Sequence, residues 1–175
     1  MRALFVGRFQ PLHLGHIKAI LEISKKYEVI VVVGSAQESY TVKNPFTAGE
    51  RAEMLINEKN FKGLNLNVIP VIDINNHAIW VKYIISLLPK FDIVYTQNPL
   101  TKILFEKEKF KVAAQEIYTN EYGKIYSGTD VRNEISNRHE DVWKNMVSAD
   151  TYKFIKMIGG DERLINLTSL TPGYF

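Results

Sequence analysis

A single domain built on a doubly wound parallel α/β sheet is what the sequence predicts, on three observations. Short, continuous apolar runs alternate along the chain with segments of helical periodicity, as when crossover helices bury strands on both faces. Those runs end in glycine or polar residues, the kind that line a ligand crevice at the carboxyl ends of parallel strands. The chain's 175 residues, 46% hydrophobic and 23% charged, are the size and composition of one globular domain with one core.

The elements follow in order. Ala3–Val6, closed by Gly7, is a buried strand. Ile17–Lys26 carries apolar residues at 17, 20, 21 and 23, a helical stripe. Val29–Val33 is β-branched throughout and ends at Gly34, a second buried strand. Thr47–Glu58 is a helix, with Thr47 as N-cap and Glu50 three residues on, a capping box. Asn67–Ile72 is a third strand, and Ala78–Leu88 a helix stopped by Pro89. Asp92–Thr96 is a fourth strand, followed by a helix over Leu100–Lys107; Glu116–Tyr118 is a weak fifth strand. Helices follow over Thr129–Ser136 and Asp150–Ile158, the second ended by Gly159-Gly160, and residues 166–175 read as a loose tail. Right-handed crossovers should bring Gly7-Arg8, Gly34-Ser35, Ile72-Asp73 and Thr96-Gln97-Asn98 to one crevice.

Composition excludes several function classes. No apolar run approaches the roughly 20 residues of a membrane span, and the apolar start is too short for a signal peptide. With no cysteine there is no disulfide, thiol nucleophile or thiolate-bound zinc, and a reducing cytoplasm is compatible. A net charge of +3 is too mild to demand nucleic acid, but suits a small anion held by a few placed cations. Only 6 of the 22 basic residues are arginine, so each Arg position is informative, because its planar fork grips phosphate as lysine cannot.

Two blocks carry the chemistry. The first strand runs into Gly7-Arg8-Phe9-Gln10-Pro11-Leu12-His13-Leu14-Gly15-His16 and then a helix. Gly15 lets the backbone approach a ligand, and a helix N-terminus offers free N–H groups to an anion. Two imidazoles three residues apart can donate to one phosphate chain; the alternative is a turn whose histidines cap the helix. The second block is Tyr126-Ser127-Gly128-Thr129-Asp130-Val131-Arg132. Its hydroxyls and N–H groups open another helix, and Arg132 lies one turn in; alone it reads equally as an ordinary cap. Together the blocks look like two halves of a polyphosphate clamp, and neither is a Walker A loop nor a dinucleotide fingerprint.

These motifs resemble the nucleotidylyltransferase superfamily and, within it, the archaeal-type nicotinamide-nucleotide adenylyltransferases. The closer resemblance rests on Gly34-Ser35-Ala36-Gln37, on Asn44-Pro45-Phe46-Thr47-Ala48-Gly49-Glu50-Arg51, on Asp73-Ile74 with Trp80, on Asn98-Pro99 and on Glu162-Arg163-Leu164, and spans about residues 1–165. It implies a Rossmann-like fold and an enzyme joining ATP and nicotinamide mononucleotide into NAD and pyrophosphate. The substrate's own phosphate is the nucleophile, so no protein nucleophile is needed.

The resemblance also implies residue roles. His13, His16, Arg8 and Arg132 would stabilise the transferring phosphates, with Gly7, Phe9, Gln10, Gly15, Ser127, Gly128, Thr129 and Val131 around ATP. Ser35, Gln37, Asn44, Arg51, Asp73, Trp80 and Asn98 would meet the mononucleotide or NAD. Trp80 reads either as a core aromatic or as a face for the cationic pyridine ring, and Asp73 either as a cap or as a pocket group. Trp143 reads as core. Mg²⁺ would arrive with ATP and keep most of its waters, with no protein metal ligands and no tightly bound organic cofactor. A cytoplasmic homo-oligomer, a hexamer, is implied, with neither nucleic acid nor membrane as partner. His77 and Gln97 depart from the family's usual Asn and Gly. The competing readings are a relative that adenylylates or cytidylylates another phosphate and a non-catalytic nucleotide sensor. A sensor would be expected to lose one histidine or the clamp arginine, and all three are present.

Overall fold

The computed structural model describes residues 1–114 and 127–170. Its sheet is built from β1 (Arg2–Gly7), β2 (Glu28–Val33), β3 (Leu66–Pro70), β4 (Ile93–Thr96) and β5 (Lys111–Ala114). All are parallel, in the order β3-β2-β1-β4-β5. The helices are α1 (Leu14–Ser24), α2 (Ala48–Ile56), α3 (Trp80–Leu87), α4 (Pro99–Lys107), α5 (Gly128–Ser136), α6 (Glu140–Trp143), α7 (Ala149–Met157) and α8 (Gly160–Leu170). None of them is long and apolar enough to cross a membrane.

Strand side chains alternate between two buried faces. Ala3, Phe5, Val29, Val31 and Val33 face a core filled from α1, α2, α5, α7 and α8, with Trp143 inside it. Leu4, Ile30, Val32 and Val94 face a smaller core made by Val81 and Ile84 of α3 and Phe105 of α4. Because both faces are covered, the central strands are apolar without interruption. The chain winds outward from β1 to β3, then returns beside β1 to lay down β4 and β5. The strand order therefore reverses between β1 and β4, and a crevice opens at their carboxyl ends.

Several boundaries differ from the sequence expectation, for physical reasons. The first helix starts at Leu14, three residues early, because His13 takes the N-cap position in extended backbone. The third helix starts at Trp80, not Ala78, and its buried stripe is Val81 and Ile84, with Ile79 and Ile85 left exposed. The fifth strand lies at Lys111–Ala114, paired with β4; Glu116–Tyr118 falls outside the described residues. Of the expected loose tail, residues 166–170 belong to a helix and 171–175 fall outside the described residues: Gly159, at φ 62°, turns the chain and α8 begins at Gly160, burying Leu164 and Ile165. The capping box of α2 is as expected, with Thr47 N–H donating to Glu50 at 2.8 Å and Glu50 N–H to Thr47 at 3.2 Å.

Candidate active site

The crevice at the switch point is one cleft with two lobes that share Val6, Arg8 and Asn98. The first lobe, about 380 Å³, lies between the β1–α1 turn and the N-terminus of α5 and is lined by Arg8, His13, Gly15, His16, Ser127, Gly128, Thr129 and Arg132, among others. The second, about 310 Å³, lies over β2 and β3 and is walled by Val32, Val71, Trp80, Ile84, Leu100 and Leu104, with Ser35, Asp73, His77 and Thr101 as polar groups. A polar, cationic lobe thus adjoins an apolar one.

The first lobe is built to take an anion. Among the described residues its lining contains no carboxylate, whereas Arg8 and the buried Arg132 both reach it. Burial and then the neighbouring Arg8 lower the Arg132 pKa to about 10, so it stays charged at neutral pH. Arg132 is aimed by two hydrogen bonds, Nη1 to the Gln10 carbonyl at 2.7 Å and Nη2 to the Thr129 hydroxyl at 3.1 Å. Thr129 accepts there, so its own proton is free for a ligand. Ser127 instead donates to Asp130 at 2.7 Å while its oxygen caps the Asp130 N–H. Gly128 lies where a Cβ would come within 3.1 Å of the Gln10 carbonyl, so only glycine lets α5 abut the first turn so closely.

The two histidines are neutral donors, not cations. Burial lowers His13 to about 4, with Asp130 opposing and Arg132 reinforcing the shift. Burial, then His13, holds His16 well below its ordinary value. The His13 backbone N–H points at Nδ1 of His16, 3.4 Å away, so the His16 proton sits on Nε2. His13 Nδ1 is buried and has no hydrogen-bond partner among the described residues.

Several residues assigned to ligands from the sequence are engaged in holding the frame. Arg51 is fully buried; its Nη1 donates to the carbonyls of Arg8 at 2.9 Å and Gly34 at 2.8 Å, and its Nη2 to Ser35 at 3.1 Å. Phe9 and Ser35 both have positive φ, 53° and 48°, so Arg51 fixes the two strained strand-end turns. Gln10 lines the first lobe, but it is 2% exposed and its side-chain amide is engaged by the Phe46 peptide. Gln37 does the same to Asp73, donating to its carbonyl at 3.1 Å and accepting from its N–H at 2.8 Å, and does not line the cleft. Asn44 is buried away from both lobes, and Val131 is core. Phe9 is buried, its ring over Gly7, where a Cβ would come within 2.9 Å. Gly7 lines the second lobe rather than the first. Asn98 lies in both lobes, but its side-chain oxygen caps α4 through the Thr101 N–H at 3.0 Å.

Sequence reasoning named no α4 side chain for the site. Leu100, Thr101 and Leu104 complete the wall opposite Trp80, which also packs edge-on against Phe105 at 5.6 Å. The available signal was an apolar helix directly after the strand-end residue Asn98.

A model of the cytidylyltransferase-like family matches residues 4–134. The chain is 44% identical over 172 residues to the nicotinamide-nucleotide adenylyltransferase of Pyrococcus horikoshii, covering 97% of this chain and 90% of the relative. It is 42% identical over 168 residues to that of Methanococcus aeolicus, covering 95% of each. Among solved structures, a bifunctional NMN adenylyltransferase/ADP ribose pyrophosphatase of Francisella tularensis, complexed with AMP and Mn ion, matches at TM-score 0.78 and 21% identity. The match covers 96% of this chain and 52% of that one, so the chain spans about half of the bifunctional protein. The Plasmodium falciparum nicotinic acid mononucleotide adenylyltransferase complexed with APC matches at TM-score 0.62 and 12% identity, covering 92% and 96%. At these identities the two structures speak to the fold alone.

Proposed function

Because the chain belongs to the nicotinamide-nucleotide adenylyltransferases, within the cytidylyltransferase-like family, we propose that its two lobes divide the two substrates of that reaction between them. The enzyme transfers the adenylyl group of ATP to nicotinamide mononucleotide, forming NAD and releasing pyrophosphate. The cationic lobe takes the triphosphate, and the apolar lobe takes the nicotinamide ring against Trp80. The carrying observation is that Arg8 lines both lobes, so the two phosphate groups meet beside one guanidinium.

A phosphate oxygen of the mononucleotide attacks the α-phosphorus, a new P–O bond forms, and the bond to the β-phosphate oxygen breaks. The attacking phosphate is already ionised, so no general base is required. The chain supplies donors that can reach the charge that develops: Arg8, Arg132, the Thr129 hydroxyl and the Nε2–H of His16, with the N-terminus of α5 beside them. Mg²⁺ enters as part of the ATP substrate and offsets charge on its phosphates. Mg²⁺ keeps most of its waters, and the triphosphate oxygens are the ligands its chemistry favours.

We assign the enzyme to the cytoplasm as a homo-oligomer, hexameric by resemblance; the exposed Ile79 and Leu87 of the α3 segment and Ile103 of α4 support an interface there. Sedimentation checks the assembly. The activity test is direct: ATP, Mg²⁺ and the mononucleotide are mixed with the protein, and NAD and pyrophosphate are measured. Equimolar formation of both supports the reading, and pyrophosphate only with a different acceptor phosphate overturns it. Nicotinic acid mononucleotide, run in parallel, ranks the amide and acid substrates.

A further inference from the structure

Resting on the assignment of the first lobe to a polyphosphate, we propose that Gln10 is a positioning residue that aims Arg132, and not a nucleotide contact. Its side-chain amide clasps one peptide unit of a distant loop: Nε2 donates to the Phe46 carbonyl at 2.8 Å, and Oε1 accepts from the Phe46 N–H at 2.9 Å. Both amide atoms are thereby engaged, and the residue is almost fully buried. Its own carbonyl is left to receive Arg132 Nη1 at 2.7 Å, the shorter of that guanidinium's two anchoring bonds.

The clasp has firm ground behind it. Phe46 sits against Gly160, where a Cβ would come within 2.6 Å of its ring. Its neighbour Pro45 accepts from Arg163, whose guanidinium also makes a two-pronged ion pair with Glu50, each bond 2.8 Å. The Phe46 peptide is therefore fixed by α2 and α8, and Gln10 transmits that position to Arg132. A planar guanidinium binds phosphate only when aimed, so a shift of the Gln10 carbonyl appears as lost polyphosphate binding.

The test is a pair of variants with both substrates varied, and a double-mutant cycle. Gln10→Ala should lower kcat/KM for ATP about 10- to 100-fold, on the scale of a small misplacement of a catalytic group, with the mononucleotide KM within about twofold. Gln10→Glu keeps the shape and the bond from the Phe46 N–H but cannot donate to its carbonyl, so it should fall between. In an Arg132→Lys background, Gln10→Ala should add less than about a further twofold, since both changes disable the same group. Calorimetric titration with inorganic pyrophosphate reads the effect without turnover: Gln10→Ala should weaken it about tenfold. If the wild type makes no NAD, the substrate assignment fails and this titration still decides the role of Gln10. Multiplying effects in the cycle, unchanged pyrophosphate affinity, or equal rises in both KM values with a falling melting temperature each overturn the proposal.

Discussion

The imidazole rings of His13 and His16 lie stacked, 3.6 Å between centroids and 27° from parallel, and neither carries charge at neutral pH. Two protonated rings could not share that space. Unfolding exposes both to water, where each takes up a proton near pH 6.5. Between that pH and the folded value of about 4 for His13, the unfolded chain binds more protons, so stability falls as pH falls. From pH 7 to pH 5 the loss for His13 alone is about 2 kcal/mol, and His16 adds in the same direction. Urea unfolding at the two pH values, for the wild type and a His13→Gln/His16→Gln variant, measures it. An equal pH dependence in both proteins would contradict it.

Each histidine should matter to turnover as a hydrogen-bond donor. His16→Ala and His13→Ala should each lower kcat about 10²-fold or more, the scale of losing one transition-state donor, at neutral pH and with little change in fold. Near-normal turnover in His16→Ala would leave the ring as a helix cap.

Arg132→Lys keeps the charge but loses the fork that holds the Gln10 carbonyl and the Thr129 hydroxyl together. Its KM for ATP should rise about tenfold or more, with the mononucleotide KM little changed. Steady-state kinetics with each substrate varied in turn distinguishes this from a general loss.

Arg51 predicts the opposite signature. Arg51→Ala removes the donor of three part-buried strand-end carbonyls, at up to about 1 kcal/mol for each bond lost, and empties a fully buried site. The melting temperature should fall sharply and both lobes should suffer together. A variant of normal stability with only the mononucleotide KM raised would return Arg51 to the ligand.

Trp80 packs against Phe105 and lines the second lobe, where it is proposed to stack on the nicotinamide ring, and its variants should show both roles. Trp80→Ala should raise the mononucleotide KM roughly 2- to 30-fold through loss of stacking, leaving the ATP KM nearly unchanged. It also removes an edge-on contact to Phe105, for about 1 kcal/mol of stability. Trp80→Phe should recover part of each. Equal weakening of both substrates would make Trp80 a core residue alone.

The fold was legible where pattern and burial agree. Val29–Val33 announced a strand covered on both faces, and Thr47 with Glu50 announced a helix start. The last helix was not legible, because Gly159-Gly160 signals a stop equally well when the second glycine opens a new helix. In the cleft, the grouping of Arg8, His13, Gly15, His16, Ser127, Gly128, Thr129 and Arg132 along one lobe was legible, because strand-end turns and helix starts converge at the switch point. What could not be read was whether a polar side chain turns toward the cleft or toward the main chain. Gln10, Gln37 and Arg51 stand within the motifs that suggested ligand contacts, and all three bind backbone carbonyls instead. Only the distance from residue 10 to residue 46, or from 37 to 73, brought close by folding, decides that.

Those main-chain grips set the terms on which the cleft can diversify. Gln10, Gln37, Arg51 and Arg132 each hold a peptide group that every amino acid possesses, so the shape of the cleft is insulated from the side chains at the gripped positions. Residues projecting into the second lobe, such as Ile72, His77, Leu100 and Leu104, take no part in those grips and can be exchanged for others. With the substrates divided between the lobes as proposed, acceptor selectivity and phosphate handling become separately adjustable, and a library randomised at these four positions should yield new acceptors on an unchanged phosphoryl-transfer frame.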